Sequence, residues 1–321
     1  MTDVDSLERS AYLHRLSPTR AGWVKYSGNP VLGGSLGTCF DLSMLVEEGR
    51  YRMIFSWRPK KSIALTESTD GIHWSEPVIL LGPRETPQHW EDDLNRPSVI
   101  RRAGRPRYHM WYTGQYPGRL PRSADGRSCL FYAVSDDLLH WERASLQPVL
   151  AAEEPWEKAA VMNPTVLWDA SSGLYRLWYS GGDQYEPDAL GYASSPDGFH
   201  WTRHPGNPIF TANPSLAWEQ HKVAGCQVLY HKDWYLLFYI GYWDEDTAQI
   251  GLARSKDGVS GWERHPHNPL IAPSENQWDA DACYKSFAVF DGQRWRLWYN
   301  GRRHADEQIG LAVHEGEDLG F

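Results

Sequence analysis

The chain has few cysteines, no long apolar run and no extended basic run. Its four cysteines, Cys39, Cys129, Cys226 and Cys283, show no CxxC spacing. Neither a zinc knuckle nor a disulfide framework is expected, and reduced thiols in a cytoplasmic protein are. No stretch approaches the length of a membrane span. The opening MTDVDSLERS lacks the apolar core of a signal peptide. The net charge is −9, and the largest basic patch is RPKK at 58–61, which argues against nucleic acid as a partner. Thirteen histidines fall without metal-ligand spacing, so neither metal nor cofactor is expected. No Ser- or Gly-rich linker and no low-complexity segment interrupts the 321 residues, which reads as one domain spanning 1–321.

What the chain does have is a repeat. GLYRLWYSGGDQYEPDALGYASSPDGFHWTRHPGNPIF (173–210) is its cleanest copy. An apolar strand breaks at Gly181-Gly182, a polar loop leads to a second strand, Pro196-Asp197-Gly198 turns, and a short strand starts at Trp201. The first strand recurs as YRMIFSW, RYHMWYTG, WYLLFYIG and RWRLWYNG, and the second as SIALTES, CLFYAVS, QIGLARS and QIGLAVH. Another apolar run precedes each, such as PTVLW (164–168) or CQVLY (226–230), giving four strands per unit. Short Tyr-, Trp-, Val- and Ile-rich runs bounded by Gly, Pro, Asn and Asp read as strands. One unit cannot bury its apolar faces alone, and radial repetition can.

The fifth unit stops at QIGLAVHEGEDLGF without its Trp-bearing last strand. That piece sits at the other end, where GWVKYSGNPVL (22–32) parallels HWTRHPGNPIF (200–210) and GWERHPHNPLI (261–271). The expectation is an all-β, five-bladed β-propeller of four-stranded antiparallel blades, with the ring closed by the N-terminal strand. The blades span about 38–82, 90–150, 156–210, 218–271 and 278–315 plus 22–32, after a polar, partly helical lead-in. Most of the 17 Trp and 17 Tyr are then stacking material between blades.

Strand direction sorts the loops onto two faces. The DGxHW-type turns share one face and read as structural, with Asp and Gly supplying the turn and Trp anchoring the strand. The other face gathers RPKK (58–61), QYPGRLPRSADGRS (115–128), GDQYEPDA (182–189), YWDEDTA (242–248) and RRHADE (302–307), together with the inter-blade linkers. Loops on one rim of a rigid scaffold are the usual home of a site.

On that rim an acid follows Trp in four linkers, as Glu91, Glu157, Glu219 and Asp279. Presence in every copy favours a structural role, and Glu219 stays open to both readings. Asp41, Asp93 and Asp281 each occur in one blade only and are expected near the top of the central channel. There Asp41 aligns with Asn95, Met162, Ala224 and Tyr284. Crowded carboxylates raise one pKa and so provide the acid and base that glycosidic cleavage needs. Arg58, Arg96, Asn163, His221, Lys222, Tyr284, Lys285 and Arg302 are the candidate substrate-binding groups, suited to sugar hydroxyls, a carboxylate or a phosphate.

With LYRLWYSG, LGYASSPDGFHW and GNPIF in hand, the chain resembles the five-bladed propeller glycoside hydrolases and phosphorylases. These are the invertase-like, arabinanase- and xylosidase-like, and mannoside-phosphorylase-like enzymes. The resemblance covers nearly the whole chain and implies a small carbohydrate substrate. In those hydrolases an Asp begins the first blade, an Asp precedes Pro in a middle blade, and a Glu begins the fourth. Here the positions read Asp41, Asn163-Pro164 and Ala224, with Glu219 upstream. The expectation is a glycosidase with Asp41 as base or nucleophile, Asp93 and Asp281 sharing the acid and tuning roles, and Glu219 as rival acid. A mannoside-type phosphorylase and a non-catalytic carbohydrate-binding propeller are the alternatives.

Overall fold

In the computed structural model, which describes residues 3–84, 90–116, 127–183 and 187–321, the protein is all-β apart from one helix and short 3-10 turns. The centres of two rim loops, 117–126 and 184–186, lie outside the described residues. The strands fall into four-stranded antiparallel units. The first is Cys39–Glu47, Arg50–Trp57, Ser62–Ser68 and Val78–Leu81, and the second is Asp93–Arg101, Tyr108–Tyr116, Arg127–Ser135 and Glu142–Arg143. The third is Ala160–Asp169, Leu174–Gly182, Pro187–Ser195 and Thr202–Arg203, and the fourth is Lys222–His231, Trp234–Tyr242, Ala248–Ser255 and Glu263–Arg264. A parallel bridge, Ala160 to Ser128, merges the second and third into one larger sheet. The last unit is Ala282–Phe290, Arg294–Arg303 and Asp306–Glu315, and its outer strand is Trp23–Lys25, with Trp23 opposite His314.

Three side-chain devices recur and explain why the repeat folds as it does. In the first, a fully buried linker acid accepts from the Tyr of the second strand and pairs with a cation of the short outer strand. Glu91 meets Tyr112 Oη at 2.8 Å and Arg143 Nε at 2.9 Å, and Glu157 meets Tyr179 and Arg203 at the same distances. Glu219 meets Tyr239 Oη and Arg264 Nε, both at 2.6 Å. Asp279 meets Tyr299 at 3.0 Å and Lys25 Nζ at 2.6 Å. Lys25 thus does at the N-terminus what arginine does elsewhere. Each buried carboxylate is acceptable only because it is hydrogen-bonded and paired.

In the second, an Asn amide clasps the third strand. Asn207 accepts from Tyr192 N and donates to Tyr192 O, Asn268 does the same to Leu252, and Asn29 to Leu311. In the third, an indole donates into the turn of the next unit. Trp111 Nε1 reaches Gly198 O at 2.7 Å, and Trp178 reaches Gly258 O at 2.7 Å. Trp298 of the last unit reaches Gly71 O of the first at 2.9 Å. A Cβ at Gly71 or Gly198 would lie 2.7 Å from the indole, in a backbone with φ +77. The second unit has Leu138 at this turn, and the residue beneath it in the first unit is Ile54 rather than Trp. Without an indole overhead there is room for a side chain.

The turn aspartates are scaffold. Asp70 Oδ1 accepts the N–H groups of Ile72 and His73 at 2.8 Å each, and Asp137, Asp197 and Asp257 repeat the pattern. These bonds hold the Asp70 carboxyl well below the ordinary range, led by the His73 side chain and backbone. Apolar clusters fill the spaces between consecutive units, and one of them packs Trp298, Ile309 and Leu311 against Leu42, Met53 and Phe55. No described helix is long and apolar enough to cross a membrane.

Trp23 is 2% exposed and packs edge-on against Phe238. Trp23→Ala is expected to cost about 3–5 kcal/mol, as for other buried aromatic truncations, in denaturant unfolding. An unfolding midpoint equal to that of the parent would show that this strand does not hold the last unit.

Candidate active site

The site begins with an irregularity shared by the first strand of every unit. Each inner strand carries one residue more than its partner, so the register slips between Phe40 and Ser43, Asn95 and Ser98, Met162 and Thr165, Ala224 and Cys226, and Tyr284 and Ser286. The residue at the slip takes positive φ: Asp41 (48°), Arg96 (56°), Asn163 (55°), Gly225 (28°) and Lys285 (39°). Bulges of this kind re-aim a side chain. The freed backbone N–H is taken up by the second strand of the preceding unit. Arg96 N donates to Ser56 Oγ (2.8 Å), Asn163 N to Thr113 Oγ1 (3.3 Å), Gly225 N to Ser180 Oγ (2.9 Å) and Asp41 N to Asn300 Oδ1 (3.0 Å). The sequence alignment is corrected here by one residue. Asp41 is equivalent to Arg96, Asn163, Gly225 and Lys285, not to Asn95, Met162, Ala224 and Tyr284.

These bulge residues form a buried polar layer. Asp41, 3% exposed, pairs with Arg96 Nε at 3.1 Å and accepts from Asn300 Nδ2 at 2.7 Å. Burial raises its carboxyl above the ordinary range, opposed by Arg96 and Lys285. Lys285 Nζ donates to Cys226 O at 2.7 Å, and burial lowers its amine. Asn163 Nδ2 lies 3.5 Å from Ser180 Oγ. On one side of this layer is a cavity of about 350 Å3, lined mostly by apolar groups such as Val99, Val166, Val228 and Ala288, with Lys285 at its edge.

On the other side opens a larger, polar cavity of about 610 Å3. It brings together five of the sequence candidates, Arg58, Asp93, Arg96, Tyr284 and Arg302, with Tyr242, Asp246, His304 and Glu307. Glu307 was not anticipated. Its Oε2 pairs with Arg58 Nη2 at 3.0 Å, and its Oε1 accepts from the Tyr284 hydroxyl. Asp93 faces Arg58, Arg96 and Lys61, yet burial outweighs all three and raises its carboxyl above the ordinary range. One cavity thus holds a carboxyl inclined to keep its proton and a second carboxylate fixed by an arginine and a phenol. Acid–base cleavage of a glycosidic bond requires two carboxyl groups, one of them protonated.

The remaining candidates lie elsewhere. Asp281 turns toward the N-terminal helix: its Oδ1 is 4.0 Å from Arg9 Nη2, and its Oδ2 accepts from His304 N at 2.5 Å. Glu219, fully buried between Tyr239 and Arg264, is the fourth unit's copy of the scaffold acid and does not line the cavity. Lys222 is buried with its amine 4.6 Å from the centre of the Tyr242 ring, so it supports a cavity wall from behind. His221 is exposed and meets Tyr242 only through its backbone N–H. Among the described residues no group of three or more His, Cys, Asp or Glu could hold a metal ion. The signal for Glu307 was present: it closes the rim loop RRHADE and sits opposite Arg302 in the hairpin register.

The class of the protein follows from its likeness to known proteins, which share this all-β scaffold of repeated four-stranded units. Residues 42–222 match the model of the glycosyl hydrolases family 32 N-terminal domain. The chain belongs to this family, and with it to the glycosidases. It is 30% identical over 251 residues to an uncharacterized protein of Mycobacterium tuberculosis, covering 75% of this chain and 77% of that one. Among solved structures, a glycosyl hydrolase from Bacteroides ovatus superposes with a TM-score of 0.73 at 16% identity, over 92% of this chain and 93% of the other. A β-1,2-mannobiose phosphorylase from Listeria innocua, in complex with β-1,2-mannobiose, superposes with a TM-score of 0.69 at 14% identity, over 91% and 96%.

The raised Asp93 carboxyl has a consequence for stability. Above the ordinary value of 3.8 the native state holds a proton that the unfolded chain has released. The stabilisation present below that pH is therefore lost as pH rises through the native value. Asp93→Asn is expected to be more stable than the parent at pH 7, by a margin that shrinks toward pH 3.8, while turnover collapses. Urea melts across that range check the sign. Glu219→Gln separates the two acids by activity: Glu219 does not line the cavity, so turnover per folded molecule is expected within about twofold of the parent.

Proposed function

We propose that the protein is a glycoside hydrolase that cleaves a short oligosaccharide or glycoside, a furanoside by preference, in the 610 Å3 cavity. The carrying observation is the pairing of Asp93 with Glu307 across Arg58. Asp93, pushed toward its protonated form by burial, donates to the leaving oxygen. Glu307, oriented by Arg58 and the Tyr284 hydroxyl, is the base or nucleophile. Asp41 acts from beneath, anchoring Arg96 at the cavity floor. Arg302, Tyr242 and Tyr284 bind sugar, the tyrosines offering an apolar face and a polar tip. Asn163, Lys222 and Lys285 hold the floor and wall, and Asp281 and His221 support the rim.

The cavity stands on a ring of five blades closed by the N-terminal strand. That reading draws on the Trp298–Gly71 and Asp41–Asn300 bonds between the last unit and the first, and on the Trp23–His314 pairing. A cytoplasmic site of action agrees with the free, buried cysteines.

A second reading, phosphorolysis, has its own observation: Arg58, Lys61, Arg96, Arg302 and His304 line the same cavity. A phosphate dianion in place of water needs two or three fixed cations near the scissile bond. The deciding measurement is release of reducing sugar from aryl glycosides and short oligosaccharides, with and without phosphate. The hydrolase is expected to turn over without phosphate, with a bell-shaped pH profile from its two carboxyl groups. Strict dependence on phosphate with a sugar 1-phosphate product would establish the second reading instead. Tight binding with no turnover across the panel would make the protein a carbohydrate-binding module.

A further inference from the structure

The helix Asp3–Leu13 lies beside the fourth and last units rather than trailing free, and it touches both loops that form one wall of the candidate cavity. On one side is the loop 243–247. It is a tight turn in which Asp244 Oδ1 accepts the N–H groups of Asp246 (2.9 Å) and Thr247 (2.6 Å). The Tyr12 ring stacks on Trp243 at 4.8 Å and 9°. The Tyr12 hydroxyl and the Gln249 amide are joined by hydrogen bonds of 3.1 and 2.9 Å. Gln249 is fully buried in the strand that leaves the loop. Arg9 Nε donates to Thr247 Oγ1 at 2.9 Å.

On the other side Arg9 reaches Asp281, whose carboxylate holds the backbone of His304. One arginine therefore grips both loops. The connection continues inward, because Arg302 Nη2 donates to Asp246 O at 2.7 Å and lies 3.6 Å from its carboxylate. Arg302 also faces Tyr284 and Glu307 across the cavity. If the loop shifts, Arg302 loses Asp246 and is left with Glu307 as its counter-charge. Burial pushes the Tyr12 phenol up to about 12, so it stays a neutral hydrogen-bonding group throughout the working range.

We propose that this helix is a strut of the substrate cavity, with Arg9 and Tyr12 as positioning residues that fix the 243–247 loop and, through Asp246, the direction of Arg302. The proposal rests on the reading of that cavity as the substrate site. Neither residue touches substrate. Their effect is to present the wall already formed, which lowers the ordering cost of binding and leaves the bond-breaking groups alone.

The test uses the full chain with Tyr12→Ala, Arg9→Ala and, as conservative control, Tyr12→Phe, which keeps the stack and drops the hydroxyl. Hydrogen exchange needs no substrate. Amides of 243–249 and 302–305 are expected to exchange at least about tenfold faster in both alanine variants, with the far-face turns unchanged. With 4-nitrophenyl glycosides as probes, KM is expected to rise about five- to tenfold while kcat stays within about twofold, and Tyr12→Phe to restore most of the KM. Unchanged exchange in those two loops overturns the strut whatever the kinetics. A fall in kcat at constant KM overturns it as well, since that would put the helix in the chemical step. Should no glycoside be turned over even by the parent, it is the hydrolase reading that falls, and the exchange data decide the strut alone.

Discussion

The site depends on one constraint, the extra residue at the head of each inner strand. A strand in perfect register sends alternate side chains to its two faces and none along the axis. The bulge breaks that alternation at one position and leaves an unpaired N–H there, a cost that must be met elsewhere. Four of the five are met by a polar side chain from the preceding unit: Asn300, Ser56, Thr113 and Ser180. The fourth unit offers Ile240 at the matching place, beside Ala224 in the ladder, and the bulge it would serve is that of Lys285. Site geometry and inter-unit bonding are therefore one feature, and a residue of the polar layer is held by the unit before it as much as by its own strand.

Charge then follows from position. Asp41, Arg96 and Lys285 stand at equivalent bulges; Asp41 and Lys285 are buried, and the half-buried Arg96 joins Asp41 to the cavity, while the neighbouring amide and carbonyl complete the bonding. The resemblance to propeller hydrolases leads one to look for acids at this level. The chain instead puts a cation at two of the five bulges and an amide at a third. The polar cavity beside this layer is lined instead by Asp92, Asp93, Glu245, Asp246 and Glu307.

Most of the scaffold was legible because its devices repeat. A Trp followed by GNP, as in GWVKYSGNPVL, pointed to the N-terminal strand, and Lys25 and Asn29 do there what Arg203 and Asn207 do in the third unit. Repetition also marked Glu219 as one of four like acids. The bulge was not legible. These inner strands are buried on both faces, so no alternation of apolar and polar residues betrays a one-residue slip, and Asp41 was paired with the wrong neighbours. Asp281 is met by a helix that has no counterpart in the repeat, so the repeat gives no sign of its partner Arg9. Glu307 stands at the start of a third strand, away from the inner-strand acids that the repeat brings into register.

The indole–glycine contacts carry a consequence for how such a chain changes over time. Trp111, Trp178 and Trp298 each occupy the space that a Cβ would need in the turn of the following unit, and where Ile54 replaces the indole the turn carries Leu138. A repeat is therefore not the heritable module that it looks like on paper. Half of each steric contract is written in one unit and half in the next, so losing the first unit would set Trp298 against Leu138, and losing the second would set Ile54 against Gly198. The exchangeable segment runs from the second strand of one unit through the turn of the next, out of phase with the visible repeat.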